Sequence, residues 1–147
     1  MHTPPALRVV ADAAGLAAIR DYVEVNARAL ALEERVVYDL VLSAHELATN
    51  VMQHGYRGHP GPLVVELRQV GGDVEVRIGD TAPPFDPTTA PAPDIAAPLE
   101  RRAPGGLGIH MARRMADELR YRTMPAGNEV TIVKRGVARG AASDASG

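Results

Sequence analysis

The chain has 147 residues and contains no cysteine, no tryptophan, one phenylalanine and four tyrosines. Without cysteine it has neither disulfides nor thiolate metal sites, and a reducing compartment such as the cytoplasm suits it. With so few aromatics, the core must be built from Val, Leu, Ile, Ala and Met. An excess of charge of one sign is also lacking: 16 basic residues face 18 acidic ones, for a net charge of −2. Nucleic-acid surfaces need a basic excess, so nucleic acid is not an expected partner. No apolar run approaches the roughly 20 residues that span a bilayer, and no signal-like segment opens the chain, so no membrane association is expected. No internal repeat is present. The length points to one domain able to bury about 70% of the surface its unfolded chain would expose. Hydrophobic and charged residues, at 46% and 23%, are in ordinary globular proportion.

Patterning predicts the elements. Residues 6–11 read as a short strand. Leu16, Ile19, Val23 and Leu30 fall near helical spacing and predict an amphipathic helix over 13–31. A second helix is expected from Glu33 to His54, its apolar stripe formed by Val37, Leu40, Val41, Ala44, Leu47, Ala48 and Val51 and its end marked by Gly55. Alternation at Leu63, Val65, Leu67 and at Val74, Val76, Ile78, with Gly71-Gly72 between them, predicts a hairpin. Residues 81–104 hold seven of the twelve prolines and have no periodicity. So long a loop inside a domain is a functional lid or disordered. A helix follows from Gly105-Gly106 to about Asp117, then strands near 118–124 and 128–135 with Gly127 as the turn. Residues 136–147 read as a disordered tail. The order β-α-α-β-β-lid-α-β-β, with strands arriving as hairpins, predicts an α+β fold. It would be a two-layer α/β sandwich with a mostly antiparallel sheet and helices on one face.

Three polar clusters stand outside this core pattern. Glu46, Asn50 and His54 lie at i, i+4 and i+8 beside the apolar stripe of the second helix. They would suit the edge of a pocket, or simply a solvated helix flank. Asp80 opens Asp-Thr-Ala-Pro-Pro-Phe-Asp-Pro at the end of a strand and, by alternation, shares a face with Val74, Val76 and Ile78. A carboxylate there needs a hydrogen-bond donor, such as an exocyclic amine of a ligand, unless the strand has already ended and Asp80 starts a turn. Gly105-Gly106-Leu107-Gly108-Ile109 opens a helix, where bare N–H groups and the helix dipole favour a phosphate; a plain hinge would look similar. Together the clusters offer a magnesium ligand, a base-recognising carboxylate and a phosphate cradle.

In this order the motifs resemble those of the GHKL ATPase superfamily: Glu46-x-x-x-Asn50-x-x-x-His54-Gly55-Tyr56 is similar to its N box, Asp80 to Pro87 to its G1 box, and Gly105 to Ile109 to its G2 box. In detail they resemble the small bacterial anti-sigma factor serine/threonine kinases of the RsbW type, over roughly residues 5–135. The resemblance implies a Bergerat-type sandwich over residues 1–135 with a lid over about 81–104. It implies ATP and Mg²⁺ as cofactors. Asn50 would be the metal ligand and Glu46 the catalytic base. Asp80 would accept from the adenine amine, with Ala82 and Phe85 beside it. Gly105, Gly106, Leu107, Gly108 and Ile109 would face the phosphates. His54 and Asn128 complete the implied cofactor-binding set, and Arg101 or Arg102 would reach from the lid. The implied partners are an anti-sigma factor antagonist protein, a sigma factor or other regulatory protein, and a second copy in a homodimer. One departure stands out: the G1 box usually reads Asp-x-Gly, and here it is Asp80-Thr81-Ala82. Alanine restricts the backbone where glycine does not; with the Pro-rich lid, this motivates an alternative, a non-catalytic nucleotide-binding or nucleotide-free module that sequesters a regulatory partner.

Overall fold

A computed structural model describes residues 3–89 and 106–138. Its elements are β1 (Leu7–Val10), α1 (Ala13–Ala29), α2 (Glu34–Asn50), β2 (Pro62–Val70), β3 (Asp73–Asp80), α3 (Gly106–Met115), β4 (Glu118–Met124) and β5 (Gly127–Lys134). The five strands form one antiparallel sheet in the order β1-β2-β3-β5-β4. One face of the sheet presents Leu63, Val65, Leu67, Val74, Val76, Ile78, Val130 and Ile132. These join Leu16, Ile19 and Val23 of α1, Leu40, Ala44, Leu47 and Ala48 of α2, and Ala112 of α3 in a single core. α2 lies between α1 and α3 in the helical layer. The fold is the expected α+β two-layer sandwich, built from aliphatic side chains.

The opposite sheet face is ionic. Glu75 is buried there between Arg68, at 3.0 Å, and Arg120, at 3.2 Å. Pairing on both sides is what makes a buried carboxylate tolerable.

Local signals set the helix ends. Asp12 caps α1, its Oδ1 accepting from Gly15 N–H at 2.7 Å. α1 stops at Ala29 rather than residue 31, because Leu30 and Ala31 N–H fold back onto the Ala27 and Arg28 carbonyls and Ala31 takes φ +58°. The predicted helix over 33–54 divides: α2 ends at Asn50, and Val51–Gly55 forms a π-helical turn. Such turns interrupt α-helices most often at functional sites. The last hairpin turns at Pro125 and Ala126, and Gly127, expected as the turn, is the first residue of β5. Of the expected lid, residues 81–89 are described, with a 3₁₀ turn at Pro87–Thr89. The rest of the lid lies outside the described residues, as does the tail beyond residue 138.

Gly127 has a strict steric reason. Its φ is +140°, and a Cβ there would sit 1.8 Å from the Asp80 carbonyl oxygen. Gly127→Ala is expected to lower unfolding stability by at least about 1–3 kcal/mol, the usual cost of such a backbone conformation for a non-glycine residue. Urea unfolding of the two proteins measures it; an unchanged midpoint would contradict the steric account.

Candidate functional site

α2 turns its apolar stripe inward and leaves Glu46 and Asn50 half-buried beside it. Glu46 reaches α3: a Cβ built on Gly108 would lie 2.4 Å from Glu46 Oε2. Glycine at 108 leaves room for the carboxylate to lie against the first turn of α3, where unpaired N–H groups and the helix dipole favour negative charge. Asn50 Oδ1 is buried and has no hydrogen-bond partner among the described residues. Ser43 Oγ and Thr49 Oγ1 on the same helix share that condition. A hydroxyl, however, can turn onto the carbonyl one turn back, whereas an amide oxygen can only accept. A buried acceptor left unpaired costs about 1–3 kcal/mol. Asn50 therefore presents a hard oxygen ligand in want of a donor or a cation.

His54 lies in the π-helical turn Val51–Gly55, and its imidazole is exposed.

Asp80 ends β3 on the core face, opposite Leu63 on β2 and Asn128 on β5. Its Oδ1 accepts from Asn128 Nδ2 and from Ala82 N–H, each at 2.9 Å. Burial pushes its carboxyl above the ordinary carboxylate range, and these two hydrogen bonds pull partly the other way. Both bonds fall on Oδ1.

Asn128 is engaged at both ends. Nδ2 also donates to the Ala82 and Pro83 carbonyls, at 3.2 and 3.1 Å, and Oδ1 accepts from Phe85 N–H at 2.9 Å and from Tyr121 Oη at 2.5 Å. The amide thus ties the loop after β3 to β4 and β5. Phe85 is anchored by its backbone, and its ring is exposed. Ala82 is buried, with Gly55 directly across: a Cβ on Gly55 would lie 2.9 Å from the Ala82 Cβ. The Tyr56 hydroxyl meets the same loop at Thr81.

Gly106, Leu107 and Gly108 form the start of α3, and Ile109 is a buried core residue. Gly105, Arg101 and Arg102 lie outside the described residues. The segment from Glu46 to Tyr56 therefore touches the start of α3 through Glu46 and the loop beside Asp80 through Gly55 and Tyr56, with Asn50 between. Sequence reasoning overlooked Tyr56 and Tyr121. Tyr56 stood within the N-box motif, but Tyr121 reads only as one more alternating strand residue.

The sequence pattern of the histidine kinase-like ATPase domain matches residues 9–134. The chain belongs to this family. Serine/threonine-protein kinase BtrW of Bordetella bronchiseptica is 32% identical over 99 residues, which cover 67% of this domain's chain and 70% of BtrW. Serine-protein kinase RsbW of Bacillus cereus is 23% identical over 87 residues, 56% of this chain and 54% of that kinase. The match therefore spans about half the length of RsbW. A crystal structure of the RsbU and RsbW domains of a Mycobacterium tuberculosis protein superimposes with a TM-score of 0.60 at 19% identity. It covers 90% of this chain and 32% of that one. At that identity the likeness shows a shared fold. This histidine kinase-like ATPase domain contains no helix, among its described residues, long and apolar enough to cross a membrane.

Proposed function

We propose that this domain binds ATP with Mg²⁺ and acts as a serine/threonine kinase, phosphorylating a small antagonist protein in a partner-switching circuit. The observation that carries the proposal is the buried, unpartnered Asn50 Oδ1 beside the contact of Glu46 with the start of α3. Magnesium prefers oxygen ligands and usually takes few from the protein, so a single amide beside a phosphate cradle suits it. When bound, ATP supplies the γ-phosphoryl group and the metal spreads its charge. Asn50 holds the metal. The N–H groups at the start of α3 receive phosphate oxygens. Asp80 Oδ2 accepts from the adenine amine, and Ala82 and Phe85 shape the loop beside it. Glu46 takes the proton of the attacking hydroxyl as its oxygen bonds to the γ-phosphorus and the bond to ADP breaks; positioning supplies the rest.

The protein serine/threonine kinase names of the relatives support the reaction class. By resemblance, the partners are an anti-sigma factor antagonist, a sigma factor or similar regulator, and a second copy of the chain. The ATP-binding unit would span residues 1–135 with its lid over 81–104. The alternative of a non-catalytic sequestering module arose from Ala82 and the Pro-rich lid. The kinase names of the relatives favour the catalytic reading, and the buried Ala82 methyl group fits against Gly55.

Calorimetry with ATP, with and without Mg²⁺, tests the site. The parent protein is expected to bind more tightly with the metal. Asn50→Ala is expected to lose about tenfold in the presence of Mg²⁺, the worth of one hydrogen-bond-scale ligand contact, and little without it. Equal loss in both conditions would remove Asn50 from the metal.

A further inference from the structure

The N-box tyrosine has no assigned task, yet its hydroxyl is fully used. Tyr56 Oη donates to the Pro62 carbonyl at 2.7 Å, accepts from Thr81 N–H at 2.8 Å, and lies 3.1 Å from Thr81 Oγ1. A hydroxyl has one hydrogen to give and two lone pairs to fill, so all three are engaged once Thr81 Oγ1 donates. The ring is fixed as well. A Cβ on Gly61 would come within 2.5 Å of Tyr56 Cε1 and Cζ, so the ring rests on a position only glycine can occupy. Next to it, Gly55 leaves the space that the Ala82 methyl group fills. Thr81 and Ala82 directly follow Asp80, and Ala82 N–H is one of the two donors to Asp80 Oδ1.

We infer that Tyr56 and Gly55 form a seat for the loop after β3, with Tyr56 a positioning residue that sets the Asp80 carboxylate for the nucleobase. The inference presupposes the ATP site proposed above. Glycine at position 82 would allow many loop conformations, whereas alanine admits few. In this chain Ala82 narrows the choice, Gly55 makes the chosen conformation sterically open, and the Tyr56 hydroxyl pins it. Asn128 grips the same loop from β5. Asp80 is thereby held in place before a ligand arrives, which lowers the ordering cost of binding.

The test uses the full chain and four variants: Tyr56→Phe, Gly55→Ala, Ala82→Gly and the double variant Gly55→Ala/Ala82→Gly. Two measurements are made: amide exchange at Thr81 and Ala82 without nucleotide, and titration with Mg·ATP. Tyr56→Phe keeps the ring on Gly61. It is expected to speed exchange at both amides and to weaken Mg·ATP by about tenfold, the net worth of a lost hydrogen bond, with the thermal transition close to that of the parent. Ala82→Gly is expected to weaken Mg·ATP a few-fold by freeing the loop, Gly55→Ala by about tenfold or more, and the double variant to bind like Ala82→Gly alone. That rescue distinguishes local seating from a general loss of structure. If the amides loosen but Mg·ATP affinity holds, the positioning role is overturned and the ATP site stands. If Gly55→Ala binds like the parent, or the folded double variant binds clearly more weakly than Ala82→Gly, the seat is likewise overturned. If the parent binds no Mg·ATP, the ATP site falls and the inference falls with it.

Discussion

Replacing Glu46 by Gln is expected to cut γ-phosphoryl transfer by about 10²- to 10⁴-fold, the usual contribution of a positioned general base. The amide has nearly the same shape, so the contact with Gly108 should survive. What is lost is the ability to take a proton. What is also lost is a negative charge at the helix start that must receive the phosphates. Carboxylate and triphosphate repel there, so Mg·ATP affinity should stay equal or rise. A fall in transfer with unchanged or tighter binding marks a group that acts in the transition state rather than in ground-state binding. The measurement is single-turnover transfer of labelled γ-phosphate to an anti-sigma factor antagonist, paired with calorimetry. Undiminished transfer would show that Glu46 is not the base.

Asp80→Asn should separate stability from binding in the opposite sense. Burial raises the folded-state titration of Asp80 above the ordinary value of 3.8, against the pull of Asn128 and Ala82. The folded protein therefore holds this proton more tightly than the unfolded chain. The sign follows: the stability contributed by this group is greatest below pH 3.8 and declines as pH rises through the folded-state value. At neutral pH the desolvated charge is a cost. Asparagine removes the charge, and its oxygen still accepts from Asn128 Nδ2 and Ala82 N–H. The variant should be at least as stable as the parent at pH 7, and its stability should decline less between acid and neutral pH. Its second atom becomes an N–H donor that faces the adenine amine, another donor. Nucleotide affinity should fall about 10- to 100-fold, the worth of a hydrogen bond to a charged group. Denaturant unfolding across pH and calorimetry with Mg·ATP read the two effects. A variant that is less stable yet binds normally would reverse both conclusions.

Asp80 is buried enough to push its carboxyl above the ordinary range, and Asn50 carries a buried acceptor left unpaired among the described residues. Neither property can be read from a residue letter. Alternation left open whether Asp80 shares the face of Val74, Val76 and Ile78 or starts a turn; strand pairing places it in β3 on that face. The sequence could not show that Asn128 would meet it, because that contact joins residues 48 apart. A uniform helical repeat placed His54 beside Glu46 and Asn50; in the structure it lies in a π-helical turn that nothing in Val51 to Gly55 announces. The length and proline content of the expected lid were plain in the sequence, and its residues beyond 89 lie outside the described residues, which resume at Gly106.

Taken alone, the sequence determined the order of elements, the aliphatic core and the three motifs that identify the family. These are local properties: periodicity needs only neighbouring residues, and a motif only fixed spacing along the chain. Tertiary structure alone decided that Gly108 admits Glu46, that Gly55 admits Ala82, and that Tyr56 closes on Thr81 25 residues away. Those contacts depend on how α2 seats against α3 and the sheet, because close packing is a property of surfaces brought together and not of any one segment.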